Sequence, residues 1–424
     1  KLNQAETDSL AEQFRNAGIT VVPFRQPADL TVINTCTVTN EADAKSRQAI
    51  RKAIRSSPRG RIAAVGCYAQ VSPDQLTALN GVDLVLGTRD KHNILQVLSD
   101  YESGGTVEPL IMVTPAGEID TYDNRPFVAA TSRSRAFLKV QDGCDYTCSY
   151  CIVPAARGRG RSRPLEACLD EARKLVDRGY LELVLTGVNI GSWRDGKHTF
   201  QALLDRLSRL SDEARIRISS IEPNLLTPEL LQLMNERRNI CPHFHIPLQH
   251  ASDRILASMR RRYSFSDFAD LVTHITSLNP DAAVGTDVIV GFPGETDEDF
   301  NILADALAAL PLSYHHIFRY SERMGTAAAN LPGQLAPQIR KERSSILHEI
   351  SRKKKREYGR RFIGKTVEVY FEQNAGSENE HEGVSPNYLR VSVTSPGDLK
   401  RTIRPVKLDS LSPDGLKLKG SLAA

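Results

Sequence analysis

Three cysteines within eight residues, Cys144, Cys148 and Cys151, give this sequence its sharpest chemical signal. They stand in the run Gly143-Cys144-Asp145-Tyr146-Thr147-Cys148-Ser149-Tyr150-Cys151, a C-x3-C-x2-C pattern. Three thiolates so closely spaced on a loop converge on one point, and soft thiolate ligands suit an iron–sulfur cluster. Three ligands for a four-iron cube leave one iron open to a substrate or cofactor, whereas four would close it. Zinc is the competing ion, but structural zinc sites pair two short Cys or His clusters into a closed tetrahedron. No obvious fourth ligand follows here. Three unrelated structural cysteines is the bland alternative. Of the other cysteines, Cys36 and Cys67 each directly follow an apolar run, whereas Cys168 sits in the helical stretch LEACLDEAR. Cys168 and Cys241 stand outside any ligand spacing and read as small buried hydrophobes. Seven cysteines spread from Cys36 to Cys241 make a poor disulfide framework. They fit a reduced compartment with metal or redox chemistry better.

The elements that must position these residues follow from the periodicity. Residues 1–103 alternate helix and strand: helix over Ala5–Asn16, strand over Leu30–Thr35, helix over Glu41–Ser56, strands over Arg61–Gly66 and Val82–Leu86, and helix over Lys91–Ser99. Such alternation predicts an open parallel α/β sheet. Two of its strands end in Cys36 and Cys67, and ligands of open α/β sheets collect at the carboxyl ends of the strands. Residues 104–132 contain Gly104, Gly105, Pro109, Pro115, Gly117 and Pro126 and read as a linker. Six further strand–helix units follow, with strands expected over Phe137–Gln141, Leu181–Thr186, Arg215–Ser220, His243–Leu248, Ala283–Val290 and Tyr314–Arg319. This spacing predicts a (β/α)6 partial barrel over residues 133–362, with its active site at the carboxyl ends of the strands. The cysteine triplet lies just after the first of these strands. Residues 363–424 switch to β patterning with Gly, Pro and Asn turns and predict a small all-β barrel.

On these residues the sequence resembles a known group. C-x3-C-x2-C after the first strand of a six-unit barrel is the hallmark of radical S-adenosylmethionine (SAM) enzymes. The runs KLNQAETDS, INTCTVTNEAD, VGCYAQ, GCDYTCSYCIVPAARGRGRSRP, LTGVNIGS, SSIEP, HIPLQHASDRILASMRRRY, GTDVIVGFPGETDEDF and RYSERMGTAAA are similar to the methylthiotransferase family. The terminal β module resembles a TRAM domain, so the likeness covers nearly the whole chain. SSIEP and RGRGRSRP look most like the branch that modifies N6-threonylcarbamoyladenosine in tRNA. A sister branch acts on isopentenyladenosine, and a third modifies a ribosomal protein. The resemblance implies SAM and two [4Fe-4S] clusters as cofactors. Cys144, Cys148 and Cys151 would hold the radical cluster, whose open iron chelates the amino and carboxylate groups of SAM. Tyr150 matches the aromatic position beside the adenine. Gly187 and Asn189 match the region that receives the methionine moiety, and read otherwise as a plain strand-to-helix turn. Three cysteines would hold the auxiliary cluster, and Cys36 and Cys67 match two of them. The third stands immediately before the KLNQ-type motif in the family, so an eighth cysteine is expected just ahead of Lys1, the sequence being read as beginning at an internal residue. Asn3, in that motif, is expected near this cluster or as a helix N-cap.

Charge and composition locate the partners. With 55 basic and 51 acidic residues the net charge is only +4. Residues 340–361 hold ten Lys or Arg and three Glu, a local +7 that leaves −3 for the remainder. A basic helix ahead of a small β-barrel suits capture of RNA backbone. Arg157, Arg159, Arg161 and Arg163 after the cysteine loop, with Arg260, Arg261 and Arg262 further on, are candidates for RNA contact, and read equally as a solvated or ion-paired face. His243 and His245 alternate along one strand and, without further ligands, read as core or pocket-wall histidines. No apolar run is long enough to span a membrane, and the polar start shows no secretory signal. A cytoplasmic monomer with no membrane partner is expected, working with an electron donor on the tRNA anticodon stem-loop. The expected activity is transfer of a methylthio group to C2 of the hypermodified adenosine 3′ of the anticodon. The rivals are the isopentenyladenosine enzyme and a non-catalytic iron–sulfur RNA-binding protein.

Overall fold

The computed structural model describes residues 1–104, 108–125, 134–374 and 379–423. Two compact units divide the chain. The first comprises residues 1–130, 141–163 and 321–329, and the second residues 131–140, 164–320 and 330–424. The cysteine loop thus belongs to the first unit, although the strand before it belongs to the second.

In the first unit, Leu30–Thr35, Arg61–Gly66, Leu84–Leu86 and Leu110–Met112 form a four-stranded sheet in chain order, every neighbouring pair parallel. Alternate side chains of a strand point to opposite faces. Ile62, Ala64 and Val85 therefore pack under Ile50 and Ala53 of the helix Asn40–Ser56. Ala63, Val65, Leu84 and Leu86 pack on the other side against Leu10 and Phe14 of Leu2–Asn16 and Ile94, Val97 and Tyr101 of Ile94–Ser103. Burial on both faces is why IAAV, residues 62–65, reads as an unbroken apolar run. The fourth strand corrects the linker expected over residues 104–132. Leu110–Met112 pair with Leu84–Leu86, and Pro109 and Pro115 bracket a strand too short to show a period. Gly105 and Pro126 lie outside the described residues.

In the second unit the six expected strands are present, in chain order and parallel. Ala136–Lys139, Glu182–Thr186 and Arg215–Ile218 form one sheet, and His243–His245, Ala283–Val290 and Tyr314–Arg319 another. A parallel bridge from Ile216 to Ile240 joins the two halves. The fourth strand is shorter than His243–Leu248 because Pro247 cannot donate to a ladder and Gln249 turns with φ of 65°. Beyond the helix Pro337–Arg360, the strands Thr366–Asn374, Glu380–Val384, Arg390–Thr394, Leu418–Leu422 and Ile403–Leu411 close into a barrel. Val369, Phe371, Val391, Val393, Val406 and Leu408 fill it. The fold class is that expected from the sequence.

Small barrel and partial barrel share one unit through a buried charge. Arg217 and Glu182 are both fully buried and paired through Nε–Oε1 at 2.8 Å and Nη2–Oε2 at 3.0 Å. Arg217 also donates to the carbonyls of Ser385 and Pro386 at 3.0 and 2.9 Å. Burial pushes the Glu182 carboxyl up, and Arg217 beside it more than reverses this, holding it below the usual carboxylate range.

Candidate iron–sulfur site

All five candidate ligands fall in the first unit. Parallel pairing sets Thr35 opposite Gly66, so Cys36 and Cys67 leave adjacent strands at the same level. Neighbouring strands lie about 4.8 Å apart, which puts the two cysteines at one rim of the sheet. Thr35 fixes the exit. Its Oγ1 donates to the Val65 carbonyl at 2.7 Å and accepts from the Tyr68 amide at 3.2 Å, at the start of the short helix Cys67–Val71. Gly66 is required at the turn. Its φ is +96°, and a Cβ there would lie 2.5 Å from Asn34 Oδ1.

A second set of contacts ties down the loop of Cys144, Cys148 and Cys151. Gln141 and Asp142 pair antiparallel with Ser162 and Arg161 and close the loop at its base. Gly143 has φ of +69°, and a Cβ there would strike the Arg159 carbonyl at 1.9 Å. The Cys144 amide donates to Gly158 O at 3.1 Å, the Cys151 amide to Cys148 O at 3.1 Å, and the Ala328 amide to Ser149 O at 2.8 Å. Arg323, from the same segment as Ala328, donates to Asn40 Oδ1 and Asp43 Oδ2, both at 2.6 Å, and to Thr37 Oγ1. The RYSERMGTAAA run therefore touches both the cysteine loop and the turn after Cys36.

The electrostatics beside Cys67 come from a buried charge cluster. Arg157 grips Glu6 with two hydrogen bonds at 2.8 and 3.0 Å, and adds Asp142 Oδ1 and Asn3 Oδ1, each at 2.9 Å. Lys91 Nζ lies 2.6 Å from Glu6 Oε2. Glu6, Lys91 and Arg157 are all buried. Burial pushes the Cys67 thiol up, and Arg157 and Lys91 pull it back down. For Arg157, burial works against the charge, but Cys67, Glu6 and Asp142 more than compensate and raise its pKa. A bare thiolate is thus disfavoured at Cys67, and a metal ligated there would supply the positive charge that favours its deprotonation. Three thiolates on one loop, with no fourth ligand beside them in the motif, suit a cluster that binds each thiolate at a different iron better than a closed tetrahedral zinc site.

Comparison with known proteins decides the family. A radical SAM superfamily model matches residues 138–307, and that of an uncharacterized protein family, UPF0004, matches residues 1–87. A threonylcarbamoyladenosine tRNA methylthiotransferase MtaB of Bacillus subtilis (strain 168) is 39% identical over 414 residues, covering 96% of this chain and 91% of the relative. The chain belongs to the radical SAM methylthiotransferases. A second relative, the tRNA-2-methylthio-N(6)-dimethylallyladenosine synthase of Nitratidesulfovibrio vulgaris, is 32% identical over 422 residues, covering 96% and 93%. Among solved structures, the radical SAM methyltransferase TsrM of Kitasatospora setae superposes with a TM-score of 0.57 at 17% identity. It covers 76% of this chain and 73% of its own, a likeness of fold. The methylthiotransferases use SAM and two [4Fe-4S] clusters.

In this methylthiotransferase the arginines expected to meet RNA divide in two. Arg157, Arg161 and Arg163 are buried. Arg157 serves the Glu6 cluster, and Arg161 donates to the carbonyls of Ile119 and Arg159 at 3.0 and 2.7 Å. The Arg261 side chain is buried too, bound to Glu222 and to Tyr263 Oη. These four are corrected from RNA contacts to buried side chains; for Arg157, Arg161 and Arg163, alternation with Gly and Ser looks the same on a surface ribbon and on a loop folded inward, and for Arg261 a run of three arginines does not show which one turns in. Arg159, Arg260 and Arg262 are exposed. Asn3 lies inside the first helix, not at its cap, and bridges Thr35 O at 3.2 Å and Arg157. Tyr150 is half-buried on the cysteine loop. In the second unit, Gly187 and Asn189 follow the second barrel strand, and the Asn189 carbonyl accepts from the Ser192 amide and hydroxyl in a single 3-10 turn. Cys168 and Cys241 are buried. Sequence reasoning missed Glu6, Lys91 and Arg323, whose only signal was a charged residue inside an otherwise apolar or motif-like run.

Proposed function

We propose that the chain transfers a methylthio group to C2 of N6-threonylcarbamoyladenosine in tRNA, beside the anticodon. The observation that carries this reading is 39% identity across 96% of the chain to an enzyme named for that substrate. The dimethylallyladenosine enzyme is more distant, at 32%. Cys144, Cys148 and Cys151 would hold the radical cluster, with Tyr150, Gly187 and Asn189 receiving SAM. Cys36 and Cys67 would hold the auxiliary cluster. When bound, the radical cluster supplies the electron that cleaves SAM to the radical which opens the C2–H bond.

The protein's own part is to orient and to balance charge. Gly143 and the 141–162 ladder set the loop, Thr35 sets the level of Cys36 and Cys67, and Arg157 and Lys91 offset thiolate charge. For tRNA, the second unit offers a cavity of about 320 Å³ lined by His348, Arg352, Lys355, Arg390 and Lys417 between the basic helix and the terminal barrel. Cations so placed suit phosphate contact. Among the described residues no helix is long and apolar enough to cross a membrane. The proposed enzyme works in the cytoplasm as a monomer served by an electron donor.

The test is reductive cleavage of SAM by the anaerobically reconstituted protein. The wild type is expected to release 5′-deoxyadenosine and Cys148→Ala to release none. Cleavage at the wild-type rate by Cys148→Ala would remove this loop from the chemistry. Absence of cleavage in the wild type would favour a non-catalytic iron–sulfur RNA-binding protein.

A further inference from the structure

Three donor groups that the proposed reaction does not use meet inside the second unit. His245 ends the fourth strand of the partial barrel, Asp287 lies midway along the fifth, and His316 is near the start of the sixth. Parallel pairing places Asp287 beside His316 and Gly285 beside His245. Gly285 and Asp287 share a face of their strand, as do Tyr314 and His316. With no side chain at Gly285, the Tyr314 ring occupies that space; a Cβ there would lie 2.0 Å from it.

The distances are those of ligands around one ion. Asp287 Oδ1 is 2.9 Å from His245 Nε2 and 3.2 Å from His316 Nδ1. All three donor atoms lie within 4.8 Å of one another. At metal–ligand bonds of about 2.1 Å, adjacent octahedral ligands stand about 3.0 Å apart. The outer contacts fit as well. Tyr314 Oη lies 3.2 Å from the other nitrogen of His245, Nδ1, and 2.7 Å from His243 Nε2. Such a partner on the far nitrogen fixes the ring and tautomer of a ligating histidine. Access is open, since His245 is buried but the His316 side chain is 54% exposed. His316 and Tyr314 also line the 320 Å³ cavity.

We propose that His245, Asp287 and His316 bind one divalent first-row transition-metal ion, such as zinc, manganese or iron(II). Two imidazoles and one carboxylate are borderline ligands suited to these ions, and three protein ligands leave coordination positions for an oxygen donor or water. The sequence concealed the site because its ligands come from three strands, and the His243–His245 alternation alone shows one of them.

The test is Mn2+ titration of the holoenzyme followed by electron paramagnetic resonance, with both clusters in their oxidised, diamagnetic state. Zn2+ competition is measured on the same samples. One Mn2+ per chain, displaced by stoichiometric Zn2+, is expected. His316→Ala, at an exposed position where folding is not at issue, and Asp287→Asn are each expected to weaken binding about tenfold or more. Reductive SAM cleavage by His316→Ala is measured in parallel, so that loss of metal is separated from failure of the iron–sulfur reading. No stoichiometric site for either ion, or a site unchanged in both variants, overturns the proposal and leaves the three residues as a hydrogen-bonded group.

Discussion

Replacing Arg157 by Leu separates the two roles open to this residue. As an RNA contact, its loss would reduce the salt slope of tRNA binding by about 1 and leave the fold intact. The structure predicts the reverse. Arg157 is 4% exposed and makes four hydrogen bonds, two to Glu6, one to Asp142 and one to Asn3. At about 4 Å and an effective dielectric near 20, each charge pair is worth about 4 kcal/mol before desolvation. Removing the cation takes two of the hydrogen bonds from Glu6, which keeps its pair with Lys91, and one from Asp142, which keeps Arg161 at 3.8 Å. Breaking such a buried arrangement from one side costs about 3–5 kcal/mol. For a unit of about 150–250 residues, one kcal/mol is about 2–4 °C in the melting midpoint. Arg157→Leu should therefore melt roughly 6–20 °C below wild type in an anaerobic thermal scan of the holoprotein. The salt slope of tRNA binding below that temperature should be unchanged. An unaltered melting midpoint together with a reduced slope would refute the buried-cluster account and restore Arg157 to the RNA surface.

Arg159→Ala should show the opposite pattern, full stability with a smaller salt slope, measured by the same two assays. Arg217→Met and Glu182→Gln should each cost about 3–5 kcal/mol in denaturant unfolding, and the double variant should recover part of that because neither charge is left buried alone. Glu182 has its pKa depressed on folding, so its contribution is complete above about pH 4.3, the unfolded value, and is lost as pH falls below it. Glu182→Gln should accordingly flatten the acid side of the stability curve. Gly143→Ala, which would push a methyl into the Arg159 carbonyl, should lower iron content toward half while leaving the auxiliary cluster; full iron content would show that the loop tolerates the shift. Burial pushes the Cys241 thiol up to about 11. It should therefore resist alkylation at pH 8 in the native protein, and Cys241→Ala should keep full iron content.

Much of the fold was legible because its signals are local. Strand runs such as RIAAVG mark element boundaries to within a residue or two. The candidate ligands Cys144, Cys148 and Cys151 were legible for the same reason. Cys36 and Cys67 needed one more step, since only the Thr35–Gly66 register makes them neighbours. What escaped was non-local. Nothing in KLNQAE shows that Glu6 will meet Arg157 and Lys91, and nothing in RGRGRSR distinguishes the buried Arg157 from the exposed Arg159. The strand Leu110–Met112 was hidden by its length and by flanking prolines. The His245, Asp287 and His316 group required the order of three barrel strands.

The most direct test of the proposed activity is nucleoside mass spectrometry of tRNA from a strain lacking this protein, with and without complementation by the wild type and by Cys148→Ala. Loss of the 2-methylthio form of N6-threonylcarbamoyladenosine, restored by the wild type alone, is the predicted result. Unchanged levels of that nucleoside, with loss confined to the 2-methylthio form of isopentenyladenosine, would contradict it.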